Sequence, residues 1–151
     1  MYKKWFREPS DIIILILVTL MSSKPAVGES IQINFTQFDT YSIDIAHIEV
    51  GDTVLWRPLS EGHNVEFLAG PEMDNLPPSS VMNEPHSVKF NQLGVYLYGC
   101  TPHLNNGMLG LIVVGKDLRN IEKLYEVEMS RVAKSVLRRL IIKTKSQIKL
   151  K

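Results

Sequence analysis

The 151-residue chain predicts a mainly β fold: a Greek-key sandwich or barrel of antiparallel strands, closed by two C-terminal α-helices. Three observations carry this prediction. Short runs of alternating apolar and polar residues, punctuated by glycine and proline, recur from residue 31 to residue 114. Beyond Gly115 the apolar spacing changes from two to between three and four, the helical period. Charge changes at the same point. Residues 29–115 hold ten acids against Arg57 and Lys89, net −8, and residues 116–151 hold eleven basic residues against four acids, net +7. The overall formal charge of +1 hides this division.

Residues 1–28 read as a secretory signal peptide. Lys3, Lys4 and Arg7 give it a positive front, and an apolar run from Ile12 to Met21 follows. That run is roughly ten residues, short of the ~20 that span a bilayer. Ala26-Val27-Gly28 supplies the small residues of a cleavage site ahead of Glu29. Glu8, Pro9 and Asp11 are unusual in such a front end, which leaves a retained N-terminal anchor as the alternative. On either reading the rest of the chain is exported, and a periplasmic location with no nucleic-acid partner is expected.

The predicted barrel, residues 29–115, begins with Ile31, Ile33 and Phe35 alternating in a half-buried strand, a pattern continued by Ile43, Ile45 and Ile48. Gly51-Asp52 is a turn, and Thr53-Val54-Leu55-Trp56 is a strand that ends at Pro58. His63-Asn64-Val65-Glu66-Phe67 reads as another strand, opened by His63. From Gly70 to Pro85 proline, serine and asparagine replace any period, a long excursion of the kind that is functional or mobile. Strands resume at residues 86–90 and 95–98, and the latter delivers Cys100 at its end. Leu109–Val114 is a continuous apolar strand. Asp117 is the expected N-cap of the first of two helices, which break near Ser130 and fill residues 116–142 against the barrel. Residues 143–151 are expected to be a frayed basic tail.

The chemistry lies in Gly99-Cys100-Thr101-Pro102-His103-Leu104-Asn105-Asn106-Gly107-Met108. Cys100 is the only cysteine. Exported proteins normally pair their cysteines, so an odd one is an intermolecular bridge, a reactive thiol, a metal ligand or an inert buried group. Its neighbours favour the ligand. His103 and Met108 add imidazole and thioether to the thiolate, the soft set of a mononuclear blue-copper site, and His63 is the obvious fourth donor. Pro102 stiffens the turn between Cys100 and His103, and Gly107 relieves crowding before Met108. Asn64 is placed to hydrogen-bond across to the cysteine loop. His47 and His86 read as surface or hydrogen-bonding residues, and Met73, Met82 and Met129 as filler. No second cluster of metal ligands stands elsewhere in the sequence, so catalysis at a further copper centre is not expected.

Cys-Thr-Pro-His with a following Gly-Met, preceded by Tyr-x-Tyr-Gly, resembles the cupredoxins, the type 1 blue copper proteins, and most closely their pseudoazurin branch. Val50–Val54, Gly62–Glu66, Gly94–Tyr96 and Val113–Gly115 extend the resemblance over residues 30–142. It implies one copper ion held by His63, Cys100, His103 and Met108, with Asn64 tying the ligand loops together. It further implies a monomeric electron carrier, not an enzyme, exchanging electrons at the edge of His103 with a docking rim that includes Pro102 and Leu104. Two departures stand out. Pseudoazurins typically carry an aromatic or similar residue and a further methionine where Leu104-Asn105-Asn106 stands here, and those known as donors to denitrification reductases ring the copper end with lysines. The acidic barrel here calls instead for a redox partner with a basic face, a c-type cytochrome or a copper or haem reductase. The basic tail could touch anionic lipid. The alternative functions are a copper delivery module and a structural domain.

Overall fold

The structure is a computed structural model describing residues 28–150, so all of the proposed signal segment except Gly28 lies outside the described residues. Seven strands run as β1 (Ser30–Phe35), β2 (Ile45–Ile48), β3 (Thr53–Pro58), β4 (Glu66–Ala69), β5 (His86–Lys89), β6 (Gly94–Gly99) and β7 (Leu109–Val114). They form two sheets, β1-β3-β5 and β2-β7-β6-β4.

Pairing departs from the all-antiparallel expectation in two places, since β1 runs parallel to β3 and β2 parallel to β7. The cause is the crossing between sheets. β2 belongs to the second sheet, so the chain re-enters the first at β3 in the direction in which it left.

Side-chain alternation assigns the apolar residues of β6 and β7 to two cores. Tyr96, Tyr98, Ile112 and Val114 point between the sheets, where Ile33, Phe35, Val54, Trp56 and Phe67 meet them. Val95, Leu97, Leu111 and Val113 point the other way, onto Ala133, Leu137, Leu140 and Ile141 of a C-terminal helix. Both strands are therefore buried throughout, which accounts for the unbroken apolar run of β7. Gly110, opposite Tyr98 in the ladder, leaves room for the phenol; a Cβ there would lie 2.3 Å from the Tyr98 ring.

The helical appendage differs from its prediction. The first segment is a 3-10 helix, Ile121–Glu126, that buries Ile121 and Leu124 three residues apart. Asp117 caps nothing; its carboxylate accepts from the Arg119 backbone N–H at 2.9 Å and pairs with the Arg119 guanidinium at 2.6 Å. Asn120 instead docks the segment, its side chain exchanging two hydrogen bonds with the Val95 backbone at 2.9 and 2.7 Å.

The second segment, α1 (Arg131–Lys149), does not stop at residue 142, and the expected frayed tail is helical to Lys149. Thr144 continues the buried stripe, while Lys143 pairs with Asp44 at 3.0 Å and Gln147 bonds His47 at 2.9 Å. Ser130 caps the helix by accepting from the Ala133 N–H at 3.1 Å. It also ties the helix to residue 105: the Ser130 hydroxyl donates to the Asn105 carbonyl at 2.6 Å, and its N–H donates to Asn105 Oδ1 at 3.1 Å. Ser130→Ala should therefore lower the stability of the metal-free protein by about 1–2 kcal/mol, measured by urea denaturation.

Candidate metal centre

Cys100 follows the last residue of β6 and Met108 precedes the first of β7, so the loop between two paired central strands carries three of the predicted ligands. The Cys100 N–H donates to the Met108 carbonyl at 3.1 Å and the Met108 N–H to the His103 carbonyl at 3.2 Å, drawing the loop closed at its base. Between them lies a 3-10 turn, Leu104–Asn106, ended by Gly107 in the left-handed conformation (φ 95°). This is the segment that Ser130 holds through Asn105.

His63 stands three residues before β4, not at the opening of a strand as expected. Its backbone surroundings go to the 70–85 excursion instead. The Gly62 and His63 N–H groups both donate to Asn83 Oδ1, at 2.6 and 3.2 Å, and the Asn83 N–H donates to the His63 carbonyl at 2.9 Å. Ser80 completes the splint by pairing with both backbone groups of Val65. Asn83 sits at φ 63°, a region that asparagine tolerates better than most residues. Neither residue was singled out from sequence; Asn83 lay in a stretch without periodicity, where an asparagine ahead of a proline was the only cue.

These two loops bring His63, Cys100 and His103 together. Cys100 Sγ lies 3.7 Å from His63 Nδ1 and 3.6 Å from His103 Nδ1, and the two Nδ1 atoms are 3.2 Å apart. Among the described residues no other group of three histidine, cysteine or carboxylate side chains could hold a metal. Cys100 is fully buried and His63 is 2% exposed, whereas the His103 side chain is 23% exposed. Met108 is buried in the same core as Cys100.

Asn64 joins the loops directly. Its Oδ1 accepts from the Thr101 N–H at 2.8 Å, and its Nδ2 donates to Thr101 Oγ1 at 2.9 Å. Thr101 Oγ1 in turn donates to Glu66 at 2.7 Å, and the buried Tyr41 hydroxyl donates to the Asn64 carbonyl at 3.0 Å. Pro102 is exposed, while Leu104 is half-buried and packs toward the helix side of the sheet. Phe38, which sequence reasoning passed over, is 75% exposed on the turn after β1. His86 bonds the Pro78 carbonyl and His47 bonds Gln147, so neither joins the cluster.

Burial, opposed by hydrogen bonds from the Asn64 and His103 backbones, raises the Cys100 thiol pKa above its ordinary value. Burial first, and then the neighbouring His103, lowers that of His63. A cation changes this balance. Ordinary metal–nitrogen and metal–sulfur bonds are about 2.0 and 2.3 Å, so an ion seated between these three atoms would reach them all. Without an ion these three atoms can meet only by sharing protons between sulfur and imidazole or between the two imidazoles. The donor set, two nitrogens and a thiolate beside a buried thioether, fits copper.

The chain belongs to the plastocyanin/azurin family of copper binding proteins, whose family model matches residues 25–115. Copper is accordingly its cofactor. Within that family it is a cupredoxin similar to the pseudoazurins. It is 39% identical over 94 residues to a putative pseudoazurin of Rhizobium leguminosarum bv. viciae, covering 62% of this chain and 60% of that one. It is 31% identical over 94 residues to the pseudoazurin of Methylorubrum extorquens, covering 62% and 64%. The chain thus spans about three fifths of the length of these curated relatives. The crystal structure of a pseudoazurin from Methylobacterium extorquens AM1 superposes with a TM-score of 0.68 at 24% identity, over 76% of this chain and 98% of that one, a likeness of fold.

Proposed function

We propose that this protein is a monomeric periplasmic electron carrier, holding one type 1 copper ion on His63, Cys100, His103 and Met108. The observation that carries the reading is the facing trio of Cys100 Sγ and two Nδ1 atoms, at 3.2 to 3.7 Å, on two loops splinted to a β scaffold. Copper bound there supplies one-electron Cu(II)/Cu(I) chemistry.

The chain's part is to keep the ligands from moving between the two states. Asn64, Asn83 and the Asn105–Ser130 tie each fix a loop backbone beside a ligand, so little reorganisation accompanies electron transfer. His103, the more exposed imidazole, is the electron port, and Pro102 with the outer part of Leu104 borders it.

The domain division that supports this reading is an acidic barrel over residues 29–115 and a basic appendage beyond it. Acidic Glu61 and Glu84 lie in the loops around His63, and the barrel's only basic residues are Arg57 and Lys89. A partner with a basic face, a c-type cytochrome or a reductase, matches that surface. Contact of the tail with anionic lipid has fewer free charges than its composition implies, because Lys143 and Lys145 are paired with Asp44 and Glu122.

The test is stopped-flow oxidation of the reduced copper protein by a basic c-type cytochrome. The rate constant should fall severalfold as ionic strength rises from about 0.01 M to about 0.15 M, where the Debye length contracts from about 30 Å to about 8 Å. A rate that rises with salt would reverse the charge assignment. A copper form that exchanges metal readily but does not cycle would favour delivery.

A further inference from the structure

We propose that Asp39 is a positioning residue of the copper centre, setting its charge balance from the outer side of both histidines. The inference rests on the ligand reading above. Both Nδ1 atoms face Cys100, so both Nε2 atoms face outward, and there they meet one carboxylate. Asp39 Oδ1 lies 3.7 Å from His63 Nε2 and 3.8 Å from His103 Nε2. Among the described residues it is the one carboxylate within 4.0 Å of either ring.

The placement is built. Asp39 lies in the tight turn after β1 that the Phe35–Tyr41 bridge closes. The Thr36 N–H donates to the Thr40 carbonyl at 2.9 Å, the two threonine hydroxyls bond at 2.7 Å, and the Phe38 N–H donates to Thr36 Oγ1 at 3.2 Å. Asp39 itself has φ 52°, the left-handed region that non-glycine residues seldom enter and that recurs at functional sites. The turn shares its frame with the ligand loops, because Tyr41 at its end bonds the Asn64 carbonyl.

Metal-bound imidazoles commonly present their second nitrogen to a carboxylate or carbonyl, which fixes the ring and raises its basicity. At 3.7–3.8 Å the carboxylate acts through its charge. It lies against the outer nitrogens of both rings and favours the more positive oxidised state over the reduced one.

The experiment is voltammetry on the copper-loaded chain and on its Asp39→Asn variant. Asparagine accepts the same backbone conformation, so the change removes charge without adding strain. The Cu(I)/Cu(II) ratio at a fixed electrode potential should rise roughly fivefold, an upward shift of about 40 mV at 59 mV per tenfold for one electron. Asp39→Gly, which removes carboxylate and strain together, should shift in the same direction. Glu84→Gln removes an equal charge beside Asn83 with no ring contact, and should change the ratio less than twofold. An unmoved potential in Asp39→Asn with the thiolate band intact overturns the role of Asp39 and leaves the ligand reading standing; an equal shift in Glu84→Gln does the same. Absence of that band from the wild type overturns the ligand reading, and this proposal with it.

Discussion

Cys100→Ser should abolish the intense visible absorption of the copper-loaded protein while leaving the chain folded. The band arises from charge transfer between thiolate sulfur and Cu(II), and Cys100 is the only sulfur of that kind in the sequence. Serine fills nearly the same volume in this fully buried position, but its hydroxyl is a harder donor that stays protonated. Retention of Cu(I) should weaken by more than the ~10–100-fold that follows loss of an outer-shell partner. Absorbance and competition with a Cu(I) chelator read the two effects separately. Folding, followed by circular dichroism, should survive, because a buried hydroxyl without a strong partner costs only about 1–3 kcal/mol.

Trp56→Ala should be the most damaging change to the scaffold. Trp56 is fully buried in β3 and faces the second sheet, stacking edge-on against Tyr98 at 5.3 Å and Phe67 at 5.9 Å. Emptying that volume should lower stability by about 3–5 kcal/mol, a large share of the ~5–15 kcal/mol of a typical domain. The damage should reach the metal centre, since Tyr98 lies two residues before Cys100 on β6. Trp56→Phe separates volume from polarity. The indole Nε1 has no hydrogen-bond partner, so phenylalanine forfeits none and should cost far less than alanine. Chemical denaturation of the metal-free proteins measures both.

Much of this molecule was legible in order along the chain. Cys100, His103 and Met108 share one short loop, so their residue types suggested a metal site, the surrounding motif and its family resemblance made them expected ligands, and the glycine and asparagine around His63 marked the facing loop. β1 and β3 were readable because burial on one face leaves a period of two, and β7 because burial on both faces leaves an unbroken apolar run. What escaped lacks a period. Asn83 and Ser80 act by giving loop backbone the partners a strand would have supplied, and Asp39 acts through a turn that places an ordinary acid against two rings. The first C-terminal segment is 3-10 because Asn120 anchors it to β6 and only two of its residues need burial. The second outruns its prediction because Asp44 and His47, remote in sequence, meet its last turns. Parallel pairing of β1 with β3 was equally out of reach, since it depends on which sheet β2 joins.

The claim at the centre is that two histidines, one cysteine and one methionine on two splinted loops make a single type 1 copper site. Electron paramagnetic resonance of the chain loaded with one equivalent of Cu(II) tests it most directly. The account predicts one copper per chain, with the compressed hyperfine splitting of a copper–thiolate centre, which Cys100→Ser converts to the wide splitting of ordinary Cu(II). A wide splitting in the wild type, or a signal unaffected by that substitution, would contradict it.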